Sequence, residues 1–495
     1  MVWASPTDRP DFGGKEADDN RLLTEMEDGV SVVISNPGLY RNTCVELDID
    51  ALAVNTLLQS HAVQELEGAA GAVAFDAAPQ ANLEELLSGA GGTLASYDET
   101  ALAAPAFRVL RTMVGSWLRD VSIYKNIYAD YQIVHFYRWL RNPSSLLYDP
   151  ALRKTLLQLM KKLFFHLVSE FKRLGSVIVY ADFNKIIVNT KKRTVTDAVS
   201  YVNYVTDNIK NKEIFHSIEM GVGSIWDVLL WCDPANYAGV AGNLKELEER
   251  EETLADEDDD SPPEVNMTWN IAEYLPEAGN IRGNFNRVVV GYVSAVHSFL
   301  AEELDRVVPG ETPVRRKRMT QTPSRSQKPS GEPQTVEDYS AELVGGELSQ
   351  RLFGVVDKIN KKFPQIKGND EDEENIFPDL PGSHVKQTFP ALEFVKAVCK
   401  VLALDSALGE EVRKLRRNLL KLINVGEFDG VAEWRDPCIS FVLAEVICRA
   451  CNHCRDIDLC KDPHKGEKDG KPVFLCANAQ CQAAYETEVT NTCLK

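Results

Sequence analysis

The sequence predicts an α+β protein, mostly helical, that ends in a small metal-binding module. Three observations carry this reading. From Ala151 to Leu174 apolar residues recur in steps of three and four, which lays one broad apolar face along a helix. Two β-rich runs then flank Ala181-Asp182-Phe183-Asn184, the pattern of a hairpin. Eight of the eleven cysteines fall between Cys438 and Cys493, and four of these form two close pairs.

Taken in order, residues 1–30 are polar. Val30 to Ile34 and Cys44 to Ile49 are strand-like, and residues 66–100, rich in Ala, Gly, Ser and acid, look like an insertion. The pattern is helical from Ala104 to Leu174. In its clearest part Leu152, Leu156, Leu159, Met160, Leu163, Phe164, Leu167, Val168 and Phe171 share a face, and Gly175 stands where a helix-ending glycine belongs. Ser176–Tyr180 and Lys185–Asn189 are the arms of the predicted hairpin. Further helices are expected over 196–208, 285–304, 339–363 and 390–425.

The chain has 495 residues, 44% of them hydrophobic, enough for a large core or about two to three domains. Its formal charge of −20 argues against wrapping duplex DNA over the whole surface, because phosphates need Lys and Arg partners. Any DNA contact is expected to be local, or indirect through a partner. The first residues lack the basic and apolar regions of a signal peptide, and no apolar run approaches the roughly 18 residues that span a bilayer. An intracellular protein with no membrane partner is expected.

Charge and composition mark linkers. Residues 245–264 hold eleven acids and a Pro-Pro pair, residues 310–338 are rich in Pro, Ser, Thr and Gln around a basic centre, and residues 370–374 are all acidic. The predicted organisation is a sheet-and-helix region over 1–244, the acidic linker 245–264, a helical segment of the same unit over 265–309, the basic linker 310–338, a helical region over 339–437 and a cysteine-rich module over 438–495. Arg315, Arg316, Lys317 and Arg318 make a candidate nuclear-import signal. With no aromatic residue beside them for base stacking, transient phosphate contact or a linker without a dedicated role are the other readings.

Cys44, Cys232 and Cys399 stand apart in apolar surroundings and read as buried small residues, and Cys438 reads as a packed residue before a last helix. Cys448-x₂-Cys451 and Cys476-x₄-Cys481 lie 24 residues apart. Two thiolate pairs on two turns suit a closed, tetrahedral structural zinc site holding one ion. Cys454, Cys460, His453 and His464 are alternates.

The residues also carry a family resemblance. Tyr180-Ala181-Asp182-Phe183-Asn184-Lys185 resembles a decayed Tyr-Gly-Asp-Thr-Asp-Ser motif of family B DNA polymerases. Asp48-Ile49-Asp50-Ala51-Leu52-Ala53-Val54-Asn55-Thr56-Leu57 resembles the decayed partner motif of the same palm. Together with Phe136–Leu147, Glu170–Ser176 and Val446–Asn452, these stretches are similar to the C-terminal, non-catalytic half of the DNA polymerase epsilon catalytic subunit family. The resemblance implies a degenerate palm and thumb followed by cysteine motifs. It places the same four cysteines in the family's first zinc motif, where the second knuckle is Cys-x₂-Cys rather than Cys-x₄-Cys. The family's active polymerase and proofreading domains precede this region and are absent from this sequence, which is expected to begin partway into the degenerate module. Of a second cysteine motif only Cys493 remains.

Family members are DNA-directed DNA polymerases, yet this chain alone is predicted inactive. Two-metal phosphoryl transfer needs carboxylates from two palm segments. Asp48 and Asp182 keep one each, whereas the second acid of the hairpin motif is Asn184, and Ala53 stands where the family has a sugar-stacking tyrosine. A neutral amide adds no charge for Mg²⁺. Residues 60–175 contain no Lys-x-x-x-Asn-Ser-x-Tyr-Gly triphosphate motif. No functional magnesium site is therefore expected. The resemblance implies a nuclear scaffold that docks the second subunit of DNA polymerase epsilon through its tail and meets the replicative helicase complex. The apolar residues of 390–404 and 438–447 are candidate interface residues. The competing readings are a stand-alone zinc-dependent nucleic-acid-binding protein and a cryptic nucleotidyltransferase.

Overall fold

The computed structural model describes residues 32–65, 99–141, 145–242, 264–307, 335–363, 376–468, 471–478 and 480–485. Through it runs an eight-stranded antiparallel sheet. Its strands are β1 (Ile34–Ser35), β2 (Gly38–Tyr40), β3 (Cys44–Asp50), β4 (Val177–Ala181), β5 (Lys185–Asn189), β6 (Glu219–Asp233), β7 (Asn236–Ala241) and β8 (Val265–Trp269), in the order β1-β4-β5-β3-β6-β7-β8 with β2 beside β6. The predicted hairpin is β4–β5. Its first arm runs one residue further than the sequence suggests, because Ala181 pairs with Ile186, and Asp182 to Asn184 form the connection.

The helices before the hairpin are α1 (Leu52–Leu58), α2 (Ser60–Glu65), α3 (Glu99–Tyr124), α4 (Ile127–Arg141) and α5 (Pro150–Arg173). Helix α5 starts on Asp149, whose side chain accepts from Leu152 N, with Pro150 at the first position, where a missing N–H costs nothing. It ends as predicted on Gly175, at φ 96°. The Gly175 N–H meets the Lys172 carbonyl and the Ser176 N–H that of Phe171, the pairing of a Schellman cap. Its apolar face packs with α1, α3, α4, β3, β5 and the later helix α6 (Val195–Lys210) in one core.

A second core forms around the far half of β6. Val228 and Leu230 of β6 and Ala238 and Val240 of β7 face α7 (Asn270–Glu273), α8 (Ile281–Val307), α9 (Val336–Leu343), α10 (Ser349–Lys362), α11 (Pro390–Leu402) and α12 (Gly409–Leu422). The intervening positions Trp226, Leu229 and Trp231 point to the opposite face, where they meet Cys44, Val179, Tyr180 and Ile187. The 15-residue β6 therefore contributes to three apolar clusters.

Several expectations need correction. The stretch read as one helix over 390–425 is α11 and α12. Asp405 breaks it, its carboxylate held by Arg41 and by Tyr292 Oη at 2.6 Å and accepting from Ala407 N. The 339–363 stretch has a π-helical turn over Val344–Leu348, at Gly345-Gly346. No helix follows Cys438 among the described residues. Instead β9 (Val442–Ile447) pairs with β10 (Cys454–Asp458), and β11 (Lys465–Lys468) with β12 (Lys471–Phe474). The apolar side chains of α11, offered above as interface candidates, lie in the chain's own core. The predicted acidic run lies between β7 and β8, which are adjacent strands of one sheet. Residues 245–263 of that run, the basic run at 315–318, the acids of 370–374, the insertion-like stretch from 66 to 98 and Cys493 lie outside the described residues.

Candidate metal centre and the hairpin beside it

Two turns bring the cysteine pairs together. After β9, the Asn452 N–H closes a turn on the Cys448 carbonyl, with Asn452 at φ 59°, a left-handed value that asparagine tolerates. After β12, the N–H groups of Cys481 and Gln482 close on the Asn478 carbonyl. The sulfurs of Cys448, Cys451, Cys476 and Cys481 all lie within 4.8 Å of one another. Cys448 Sγ is 3.8 Å from Cys481 Sγ, and Cys451 Sγ is 3.5 Å from Cys476 Sγ. Burial pushes the Cys448 thiol up, but amide donors from Cys451 and Ala450 outweigh it and hold the thiol below its ordinary range. The His453 N–H points at Cys451 and the Asn478 N–H at Cys476. Four thiols with amide donors around them fit a zinc ion, and the wider Cys-x₄-Cys knuckle still supplies an amide to its first sulfur. Cys454 and Cys460 fall outside the cluster: Cys454 opens β10, and Cys460 packs with Cys438 and Tyr274. His453 and His464 also stand outside it.

Residues that sequence reasoning missed brace this centre. Arg455 on β10 forms an ion pair with buried Asp462 and donates to the Leu475 carbonyl at 2.9 Å, one residue before Cys476. The Asn452 side chain reaches α4, where its Oδ1 lies 2.9 Å from His135 Nδ1 and 3.3 Å from Arg138. The asparagine after a Cys-x₂-Cys pair was the available signal for the first knuckle's left-handed turn. Nothing local in the sequence pointed to its helical partner.

The Asp182 hairpin stands next to the module. Its tip and β3 are adjacent, with Asp48 opposite Lys185 and the Ile49 N–H on the Asn184 carbonyl at 2.6 Å. So the structure does bring Asp48, Asp182 and Asn184 to one end of three neighbouring strands. Asp182 Oδ1 accepts from the N–H groups of Asn184 and Lys185, both at 2.8 Å, and its Oδ2 accepts from Tyr180 Oη at 2.8 Å. Burial raises its carboxyl above the usual range despite these donors and the nearby Lys185 ammonium. That ammonium pairs with Glu46 at 3.1 Å. Asp48 is likewise raised, first by burial and then by Glu46 beside it. Ala53 is buried on α1 in the first core. The module's charges reach this edge. Asp456 acts on Tyr180, and Asp50, Asp182 and Lys185 act on His453, whose imidazole burial holds below its ordinary range.

Residues 431–494, which contain this centre, match the family described as zinc finger domain of DNA polymerase-epsilon, and residues 1–240 match a domain of unknown function (DUF1744). The chain is 33% identical to a DNA polymerase epsilon catalytic subunit of Arabidopsis thaliana over 99% of its own length and 20% of the relative's. For the corresponding protein of Dictyostelium discoideum the values are 30%, 93% and 23%, and for that of Schizosaccharomyces pombe 31%, 94% and 20%. The chain thus spans about a fifth of the length of these curated relatives. Fold, cysteine centre and relatives together define a zinc-finger-bearing protein of DNA replication. The chain is homologous to DNA polymerase epsilon catalytic subunits and matches their C-terminal region.

Proposed function

We propose that this chain is a nuclear scaffold of the replicative polymerase, which holds accessory subunits and the replicative helicase complex and does not itself synthesise DNA. The observation that carries this reading is the use of Asp182. In a working two-metal site its oxygens would face the ions, whereas here they accept three hydrogen bonds from the protein's own hairpin. With Asn184 neutral and the Lys185 ammonium close by, the edge is poorly suited to Mg²⁺. On this reading the sheet and its helices are a degenerate family B palm and thumb. Cys448, Cys451, Cys476 and Cys481 hold one zinc ion, which stiffens a docking surface, and Arg315–Arg318 serve nuclear import. DNA contact is local or indirect.

The docking surface we assign to the second subunit keeps the 438–447 part of the one expected from sequence and drops the 390–404 part. Helix α11 is buried, but Phe428, Val431, Ile439 and Phe441, in the stretch of chain that leads into the zinc module, are exposed, Phe428 at 96%. Several large exposed apolar residues within a short stretch of sequence favour a protein partner. The test is assembly of the full chain with purified second subunit of DNA polymerase epsilon. A stable complex that is lost on Cys448→Ser/Cys476→Ser and weakened by Phe441→Asp is expected. Undiminished binding by both variants overturns the assignment. The competing reading, a stand-alone zinc-dependent nucleic-acid binder, requires salt-dependent DNA binding by the purified chain.

A further inference from the structure

Two cysteines outside the metal centre share a buried pocket. Cys438 lies just before β9 and Cys460 just after β10, at 3% and 8% exposure, with Tyr274 against them. The segment 382–384 runs alongside. Ser383 bridges to Cys438, the Ile439 N–H bonds the Gly382 carbonyl at 2.9 Å, and the His384 N–H bonds that of Pro437. Gly382 has φ 83°, and a Cβ there would sit 2.9 Å from Cys460 Sγ and 3.0 Å from Cys438 Sγ. Both sulfurs therefore crowd the same spot, and only a residue without a side chain leaves them room. Cys438 and Cys460 pack in one small buried cluster, with the Cys438 thiol against the Pro381 and Ile439 carbonyls at 4.0 and 3.7 Å, and neither belongs to the four-cysteine cluster.

We propose that Cys438 and Cys460 are a latent disulfide, a dithiol that hydrogen peroxide closes and that then pins the zinc module in place. The more exposed Cys460 is the first nucleophile. Its thiolate attacks one peroxide oxygen, the O–O bond breaks, and the departing hydroxide takes a proton to become water, leaving a sulfenic acid. The Cys438 sulfur attacks that sulfur, the S–O bond breaks, and the hydroxyl leaves as a second water with the Cys438 proton. The sulfurs together lose two electrons, and the peroxide is reduced. Burial holds both thiols above their ordinary range, which makes the closure slow. The loop that the bond closes contains both Cys448 and Cys451, so it restrains the first knuckle when metal is absent.

The experiment uses the full, zinc-loaded chain. After exposure to hydrogen peroxide and blocking of free thiols, non-reducing peptide mass spectrometry should find a Cys438–Cys460 link with a mass loss of two hydrogens. Zinc content should be unchanged and dithiothreitol should reverse the link. Cys438→Ser and Cys460→Ser should each abolish it, and the oxidised wild type should lose zinc to a chelator about tenfold more slowly. Oxidation that stops at a Cys460 sulfinic acid, or links formed only among the zinc-binding cysteines, would overturn the proposal. An unchanged zinc-release rate in the linked protein would reject its pinning role.

Discussion

Arg455 offers the sharpest test of how the zinc module holds together. Its side chain is 11% exposed and that of Asp462 only 2%. The same guanidinium bonds the Leu475 carbonyl and lies over the Tyr485 ring at 5.7 Å. Arg455→Met keeps most of the stem and removes the charge. It strands a buried carboxylate, a loss of about 3–5 kcal/mol. Zinc binding in small modules supplies about 10–16 kcal/mol, and it is coupled to folding. The variant should therefore still fold with metal, at a lower affinity. At 1.4 kcal/mol per factor of ten, the loss corresponds to roughly a hundredfold to a few thousandfold in zinc affinity. Competition against a chromophoric chelator of known affinity reads this directly. The double variant Arg455→Met/Asp462→Leu should recover much of the loss, because the cost lies in the unpaired carboxylate. A drop below about tenfold for the single variant would refute the reasoning.

Two further outcomes follow. Glu170 is buried and pairs with Arg173 at 2.7 Å and with Lys212 at 2.5 Å. Burial pushes its carboxyl up, but those two donors outweigh it and hold it below the usual range. Its contribution should be complete above about pH 5 and fade as pH falls through the folded-state value. Glu170→Gln should cost about 1–3 kcal/mol at neutral pH and flatten that acid limb in denaturant titrations, and a variant with wild-type pH dependence would contradict the pairing. Asn452→Ala should destabilise the zinc module by about 1 kcal/mol through the left-handed backbone, which asparagine tolerates better than alanine, and so lower the chelator concentration needed to unfold it. Asn452→Gly, which relieves that strain but still lacks the bonds to α4, should fall between alanine and wild type, and equal loss in both would remove the backbone argument.

What could be read from the sequence was what is local. Helix α5 and its glycine cap, and the hairpin around Asp182, are written in short-range spacing. So are the positions of the two cysteine pairs. Strands β6 to β8 were missed for physical reasons. The run Val228-Leu229-Leu230-Trp231-Cys232 shows no polar alternation because both faces of β6 are covered, and β7 and β8 are separated by an acidic run that hides their pairing. The break at Asp405 was equally hidden, since its partners Arg41 and Tyr292 come from distant parts of the chain. The partner of Asn452 on α4 is more than three hundred residues away, and no periodicity signals such a contact.

The Asp182 carboxylate at the hairpin edge has a structural reason for its place. A metal-binding aspartate must leave oxygens free and turned toward the ion. Asp182 instead caps its own turn, bonding two backbone N–H groups that the three-residue connection would otherwise leave unpaired, and Tyr180 fills the other oxygen. Asn184 needs no charge for its part, because its backbone carbonyl ties the hairpin to β3 through the Ile49 N–H. The Lys185 ammonium bonds Glu46 and lies in the field of Asp182, so it balances the carboxylates that no metal would then need to neutralise. Asp182, Asn184 and Lys185 are thus occupied in holding β3, β4 and β5 together. The register of these strands aligns Val45, Leu47, Ile186 and Val188 in the first core. Under the scaffold reading, the constraint on these positions is the packing of the sheet. Asp182 is then required for the turn, while the residue at 184 is free to be any that keeps its carbonyl in place.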